Sequence, residues 1–180
     1  MRKVVWSEYV SLDGVVEEPG EWSIPFFSDD LAKYKTDELS ASDALLLGRV
    51  TYEGFAAAWP EMPHEGEFFE GMNSIRKYVA STTLSEPEWN NSVVIEGDVP
   101  EAVGRLKQEE GKNILIGGSG NLAETLTKHG LIDEFRFLIH PVLIGGGKRL
   151  FDGVAEHTVL ELVDTQRFES GVVALTFQST

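Results

Sequence analysis

The chain predicts an α/β protein built on a mixed, mostly parallel sheet covered on both faces, with antiparallel strands at its C-terminal flank. Three observations support that class. Short apolar strands alternate with helical segments as far as Lys128, the pattern of parallel strands joined by crossover helices. Two of those strands, 44–47 and 113–116, run straight into glycine-led turns that open helices, Gly48-Arg49-Val50-Thr51-Tyr52 and Gly117-Gly118-Ser119-Gly120-Asn121. Beyond them, residues 135–144, 160–168 and 172–178 are strand-like with no convincing helix between, which predicts an antiparallel flank.

Each element follows from local chemistry. Residues 3–10 mix Val, Trp and Tyr with Ser and Glu in rough alternation and stop at the turn signal Ser11-Leu12-Asp13-Gly14, giving a first strand. Residues 15–27 hold Pro19-Gly20, Trp22 and Pro25 among acids without a period, so they predict a long loop of the kind kept for function. Ser28 is placed to cap a helix whose apolar Leu31, Tyr34 and Leu39 share one side, with Asp29 and Asp30 where the helix dipole favours acids. After the strand 44–47, residues 51–59 read as a short helix halted by Pro60, and 61–71 as an acidic, aperiodic loop. A strand at 77–80 leads into Ser81-Thr82-Thr83, and another spans 92–96. Asp98, Pro100 and Glu101 then form an N-terminal helix signature, with the helix running to about Glu110. The fifth strand, 113–116, precedes a helix at 122–128 that Gly130 closes.

With 180 residues and 42% hydrophobic content, the chain is long enough for one domain with a sizeable core. No apolar run approaches a membrane span and no cleavable signal pattern precedes Asp13, so a cytoplasmic protein is expected. The absence of cysteine fits that expectation and excludes disulfide scaffolds, thiol catalysis and cysteine-ligated zinc. A net charge of −15 argues against nucleic acid and anionic membranes as partners, so any phosphate must be held in a local pocket. His64, His129, His140 and His157 lie far apart with no i, i+4 pair, and no metal is expected.

The glycine turns are the chemical signal. A helix N-terminus offers unpaired N–H groups and partial positive charge, and glycine lets a phosphate approach the backbone. One such turn is often only a tight turn. Two in one small domain, the first carrying Arg49 and Thr51, point to a dinucleotide.

The motifs Ser11-Leu12-Asp13-Gly14, Leu46-Leu47-Gly48-Arg49-Val50-Thr51-Tyr52-Glu53, Tyr78-Val79-Ala80-Ser81-Thr82-Thr83, Gly117-Gly118-Ser119-Gly120-Asn121-Leu122 and His140-Pro141-Val142-Leu143-Ile144-Gly145-Gly146-Gly147, in that order, resemble the RibD C-terminal reductase family in its stand-alone bacterial form. The resemblance covers nearly the whole chain and implies a three-layer α/β/α dihydrofolate-reductase-like fold with NADPH across the C-terminal strand edges. It places Gly48, Arg49 and Thr51 at a phosphate-binding turn, Ser81 and Thr82 beside the adenosine ribose, and Gly117, Gly118, Ser119, Gly120, Asn121 and Leu122 at a second cradle. Arg49 could instead be a surface ion-pair residue, and Ser81 and Thr82 could merely end a strand.

The implied chemistry is hydride transfer to a C=N or C=O group, which also needs a proton. Asp30 resembles the acid of dihydrofolate reductases that follows a Trp-x-Leu-Pro stretch, here Trp22-Ser23-Ile24-Pro25, but it lies further downstream, and a first-turn aspartate can serve the helix dipole alone. Asp13 and Gly14, Trp22, Tyr52 and His140 are the candidate substrate and lid residues, with Asp13 also readable as a turn former. The acidic lid sequence Glu17-Glu18-Pro19-Gly20-Glu21 argues for a flat heterocycle over a ribose phosphate, although the resemblance implies the 5-amino-6-(5-phosphoribosylamino)uracil reductase activity of riboflavin biosynthesis. Weak dihydrofolate reduction through Asp30, or a nucleotide-binding module without catalysis, are the alternatives. A homodimer is implied by the resemblance, with the strand-rich tail and Phe135-Arg136-Phe137 as its expected interface.

Overall fold

The computed structural model describes residues 1–62, 65–153 and 157–179. Its strands are β1 (Val4–Ser11), β2 (Ser42–Gly48), β3 (Arg76–Ala80), β4 (Ser92–Val94), β5 (Asn113–Gly117), β6 (Glu134–His140), β7 (Leu160–Arg167) and β8 (Val173–Ser179). They form one sheet in the order β4-β3-β2-β5-β1-β6-β8-β7. Strands β4 through β6 of that order are parallel, and β8 and β7 join by antiparallel pairing. The helices are α1 (Pro19–Trp22), α2 (Asp29–Ser40), α3 (Arg49–Ala58), α4 (Glu67–Ser74), α5 (Val99–Gln108) and α6 (Gly120–Lys128).

Because strand side chains alternate between faces, each central strand feeds two cores. Val4, Trp6, Ala44, Leu46, Ile114 and Ile116 meet Val103 and Leu106 of α5 and Ala123 and Leu126 of α6. Val5, Leu45, Leu47 and Leu115 meet Leu39 of α2, Tyr52 of α3 and Met72 of α4. The result is a three-layer α/β/α domain, and burial on both faces is why β2 and β5 read as unbroken apolar runs. A smaller cluster of Leu31, Leu138, Phe168, Val172 and Ala174 joins α2 to the antiparallel flank.

Several local expectations need correction. The supposed loop 15–27 contains α1 and a 3-10 turn at Ile24–Phe26, each with a proline at its start, where the missing N–H costs nothing. Within 61–71 the chain forms the start of α4. Gly71 belongs to that helix, and a Cβ there would lie 2.9 Å from Leu39 Cδ2, so this glycine marks close packing of α4 on α2. The strand predicted at 135–144 ends at His140, ahead of Pro141. Phe135 and Phe137 are buried against Trp6, with ring centroids 6.1 and 5.4 Å away, and so are not available as an interface.

Lys77 is a fully buried cation inside this frame. Its ammonium donates to the carbonyls of Asn73 (3.1 Å), Ile75 (2.9 Å) and Asn90 (3.0 Å) and lies 4.1 Å from the Trp89 ring centroid. Burial pushes its pKa down to about 8, so near neutral pH it stays protonated and its three protons meet three acceptors. That clamp fixes the start of β3, whose far end delivers Ser81 and Thr82.

Candidate active site

Strands β2 and β5 are neighbours, yet the helices that follow them pack on opposite faces, α3 with α2 and α4, and α6 with α5. Such a divergence opens a crevice beyond the strand ends, the place where open α/β sheets bind ligands. Gly48 is the N-cap of α3 and Ser119 that of α6. The two turns are joined across the crevice: Gly48 N–H donates to Ser119 Oγ at 3.0 Å, and Ser119 N–H donates to Thr51 Oγ1 at 3.1 Å. Gly118 and Ser119 have φ of 60° and 58°, and a Cβ on Gly118 would lie 3.3 Å from Thr51 Cγ2. Only glycine meets both requirements at 118 without strain.

The charge at these two helix starts is distinctive. In a chain of net charge −15, α1, α2, α4 and α5 all place acids in the first turn. Neither α3 nor α6 does, and neither has a side-chain cap. Their first-turn N–H groups therefore keep an uncompensated positive end, suited to an anion. Leu122 is packed in the core beneath α6. Asn121 accepts a hydrogen bond at Oδ1 from the Lys148 ammonium. Arg49, half-exposed at the first position of α3, pairs through Nη1 with both carboxylate oxygens of Glu53 at 3.1 and 2.9 Å, leaving Nε and Nη2 as further donors. Ser81 Oγ accepts from the N–H groups of Thr83 (3.2 Å) and Leu84 (3.0 Å), closing the turn after β3, while Thr82 is exposed.

A second feature lies at the ends of β1 and β6, where Ser11 pairs with His140. His140 is fully buried, with its ring against Tyr9 (4.9 Å between centroids), Trp22 (5.2 Å) and Phe26 (5.9 Å). Burial holds its pKa below the ordinary value, an effect only partly offset by the carbonyls of Leu138 and Val10. Nδ1 lies 2.8 Å from the Leu138 carbonyl, which can only accept, so the proton is assigned to Nδ1. Nε2 is then a bare acceptor, buried and without a hydrogen-bond partner. It lies two strand spacings from β5, about 10 Å across the sheet. Trp22 is half-buried above it, its indole N–H donating to the Glu17 carbonyl at 2.9 Å.

Asp13 staples the loops that roof this edge. Its carboxylate accepts from Ser11 Oγ (2.7 Å) and from the N–H groups of Ile144 (3.1 Å) and Gly145 (2.7 Å). Gly14, at φ 89°, lets the chain turn back so that its carbonyl accepts from Leu150 N–H at 2.9 Å. The Ser11 hydroxyl, then the Ile144 and Gly145 amides, hold the Asp13 pKa down to about 2, below its ordinary 3.8. A depressed carboxylate stabilises above its ordinary value and loses that contribution as pH falls through the folded one, so the staple persists into strong acid. Asp13→Ala is expected to speed amide exchange at Ile144 and Gly145 while leaving the sheet protected. Hydrogen-exchange mass spectrometry reads this, and unchanged protection there would contradict the stapling.

The sequence profile of the RibD C-terminal domain matches residues 2–174. The chain belongs to the RibD C-terminal domain family. A relative, the uncharacterized protein YyaP of Bacillus subtilis (strain 168), is 36% identical over 180 residues, covering 98% of this chain and 94% of its own. Among solved structures, a Shewanella sp. PV-4 protein provisionally assigned to riboflavin biosynthesis shares the fold at a TM-score of 0.76, with 20% identity and 99% of each chain covered. The diaminohydroxyphosphoribosylaminopyrimidine deaminase/5-amino-6-(5-phosphoribosylamino)uracil reductase of Thermotoga maritima matches at a TM-score of 0.68 and 15% identity, over 99% of this chain and 57% of that one. At such identities the two structures establish the fold alone.

Within this RibD C-terminal domain the remaining candidate residues separate. Asp30 accepts from Ser28 Oγ, from Leu31 N–H (2.9 Å) and from Glu169 N–H (2.9 Å), bonds that keep its pKa below the ordinary value, the Ser28 hydroxyl contributing most. It thus ties the start of α2 to the turn between β7 and β8. Tyr52 is not brought to the lid. It is buried on the α3 side, where its hydroxyl accepts from Trp89 N–H at 3.0 Å, because three residues of helix rotate it inward from Arg49. Among the described residues no three His, Cys, Asp or Glu side chains gather as metal ligands, and His64 lies outside those residues. No helix among them is long and apolar enough to cross a membrane. An open groove of about 420 Å³ between α2 and the antiparallel flank is lined by Glu38, Glu134, Arg136 and Asp164. Arg136 there pairs with Glu134 (2.6 Å) and Glu38 (3.4 Å), away from the glycine turns.

Two residues near the crevice were missed in the sequence. Lys148, beside α6, directly follows the motif that ends at Gly147 and was not singled out. Glu8 is an acid in a strand, where alternation made it look like a solvated face, yet it is 5% exposed.

Proposed function

We propose that this protein is an NADPH-dependent reductase of a small, flat heterocycle. The observation that supports it most is the pair of acid-free, uncapped helix N-termini at the β2–β5 crevice, cross-linked through Ser119 and Thr51. In this reading the first turns of α3 and α6 hold the pyrophosphate, with Gly48, Thr51, Gly117, Gly118, Ser119, Gly120 and Asn121 allowing close approach and Leu122 seating α6. Arg49, Ser81 and Thr82 meet the adenosine ribose and its 2′-phosphate. A reduced nicotinamide bound there supplies the hydride. The chain's residues frame the acceptor: Trp22, half-buried over the closed His140 ring, offers an aromatic face to a flat ring, and the Asp13 staple with Gly14 holds the loops around it.

Asp30 is assigned to anchoring the β7–β8 turn, because a carboxylate kept ionised by three donors does not deliver a proton near neutral pH. The acidic segment Glu17, Glu18 and Glu21 disfavours a substrate bearing a phosphate. A homodimer falls on the terminal strand β7, where Leu162 and Val163 are exposed.

The test is NADPH oxidation over a panel of pterins and aminopyrimidines, including the phosphoribosylaminopyrimidine of riboflavin synthesis. Turnover of an unphosphorylated ring supports the reading, and binding without oxidation of any ring would reduce the protein to a nucleotide-binding module. Arg49→Ala is expected to weaken NADPH about tenfold or more, the loss of one charge-assisted bond, and NADH much less. Equal losses in calorimetric titrations would move Arg49 to the pyrophosphate.

A further inference from the structure

The chain just after β1 and the chain around Lys148 are laced together by their backbones. Val15 bridges Arg149, Val16 N–H donates to the Lys148 carbonyl at 2.9 Å, Lys148 N–H donates to Glu17 Oε2 at 3.2 Å, and Leu150 N–H donates to the Gly14 carbonyl at 2.9 Å. Gly147, at φ 109°, is approached so closely that a Cβ there would lie 2.8 Å from Glu17 Oε2 and 3.2 Å from Val15 Cγ1. The Lys148 backbone is therefore fixed to the root of segment 18–27, which carries α1 and the turn Ile24–Phe26. Among the described residues, the hydrogen bonds of that segment stay within it or return to its root: Ser23 N–H donates to Pro19, Phe26 N–H to Ser23, Phe27 N–H to Ile24, and the Trp22 indole to Glu17. It rests on the body of the domain through rings, Trp22 and Phe26 against His140.

The Lys148 side chain reaches across to α6. Its ammonium donates to Asn121 Oδ1 and lies 3.8 Å from where a Cβ on Gly120, the first residue of α6, would sit. A cation so close to the positive end of a helix is unfavourable, yet in a chain with 30 acids no carboxylate among the described residues pairs with it. The acids of the flanking segments take backbone N–H groups instead: Glu17 that of Lys148, Asp13 those of Ile144 and Gly145, Asp152 that of Arg149 at 3.0 Å, and Glu124 that of Gly153 at 3.4 Å. The buried Glu8 of β1 feels the Lys148 charge without forming an ion pair. An ammonium carries three donors. The bond to Asn121 uses one, which leaves two beside an uncapped helix start.

Resting on the dinucleotide reading above, we propose that Lys148 holds the pyrophosphate and couples it to segment 18–27, so that a bound dinucleotide orders the cover over the acceptor. Asn121 steers the ammonium, and its two remaining N–H groups meet phosphate oxygens. The anion also removes the repulsion between that cation and the start of α6. Lys148 is then held at both ends, by phosphate at the side chain and by the ladder to residues 14–17 at the backbone. The segment rooted on that ladder otherwise has only ring contacts to the domain, and a segment with few polar ties opens at low free-energy cost. Steadying its root therefore shifts its opening. By linkage, the acceptor that binds under the ordered cover tightens the dinucleotide by the same factor.

The experiment uses the full chain with NADPH as the probe. Amide exchange over residues 15–27 is followed by mass spectrometry with and without saturating NADPH, and affinity is measured by calorimetry, in wild type, Lys148→Met and Lys148→Arg. In the wild type NADPH should slow exchange over 15–27 by about fivefold or more, the lower end of ordinary coupling between sites. Lys148→Met keeps the apolar stem and loses the charge. It should bind NADPH about tenfold more weakly, the loss of charge-assisted bonds, and show none of that protection at saturation, whereas Lys148→Arg should retain most of both. Without NADPH the Met variant should exchange as the wild type does, because the ladder uses only the Lys148 backbone. A wild-type protein that binds NADPH with no change over 15–27 overturns the coupling, and needs no variant to fold. A Met variant that binds as tightly as the wild type, that keeps the full protection, or that is already loosened without NADPH overturns the Lys148 assignment. Failure of the wild type to bind NADPH would instead refute the dinucleotide reading and the coupling built on it.

Discussion

Gly118→Ala should weaken NADPH binding at least tenfold while leaving the sheet intact. Gly118 holds φ 60° and is followed by Ser119 at φ 58°, and a side chain in that region costs about 1–2 kcal/mol. The added methyl would also press on Thr51, whose Cγ2 and Oγ1 lie 3.3 and 3.5 Å from it. Thr51 Oγ1 is the acceptor that joins the α6 turn to α3, so relief of the contact displaces the cradle itself. Gly54→Ala is the control. Gly54 lies inside α3 with nothing within 4 Å of an added Cβ, and alanine there should stabilise by about 0.5–1 kcal/mol with binding unchanged. Calorimetric titration beside a thermal melt separates the two cases, and equal binding by both variants would contradict the role given to the Gly118 backbone.

Lys77→Ala should be the most destabilising single change outside the apolar core, by about 3–5 kcal/mol, through a cavity and unpartnered carbonyls. The Asn73 carbonyl keeps the Asn90 side-chain donor at 3.1 Å, but those of Ile75 and Asn90 lose the ammonium. Lys77→Met refills the volume and escapes the burial penalty on the charge, so it should cost only about 1–3 kcal/mol. Urea unfolding of the two variants reads the difference. A Met variant as unstable as the Ala variant would mean that hydrogen bonding outweighs packing here, and an Ala variant near wild-type stability would contradict the clamp.

The parts of the fold legible in the sequence were those set by local chemistry. Strands β2 and β5 are buried on both faces, which leaves contiguous apolar runs, and Asp98 caps α5 by accepting from Glu101 N–H at 2.9 Å, as its spacing to Glu101 suggested. The second glycine turn was visible in part because the backbone holds Gly118 at φ 60°. Features set by distant contacts were not legible. Gly71 read as the end of an acidic loop because the reason for it, Leu39 of α2, is 32 positions away. Phe135 and Phe137 looked like an interface because alternation alone does not reveal that Trp6 and α6 cover that face.

The same division runs through the site. Asp13 and the Ile144-Gly145 segment read as separate motifs, and only the fold shows that one holds the other. Tyr52 was placed at the lid by its neighbours in sequence, whereas helix geometry turns it to Trp89. Asp30 had the residue type and approximate position of a proton donor, but Glu169, whose N–H it holds, lies at the other end of the chain. Glu8 gave no signal, since its burial exists only once β1 is assembled between β5 and β6.

The central claim, a dinucleotide held by the turns after β2 and β5, is tested most directly by titrating the purified protein with NADPH and, separately, NADH, followed by calorimetry. Saturable binding of NADPH at submillimolar concentration, tighter than that of NADH, is the expected result; binding of neither would contradict the account and leave the two glycine turns with a structural role alone.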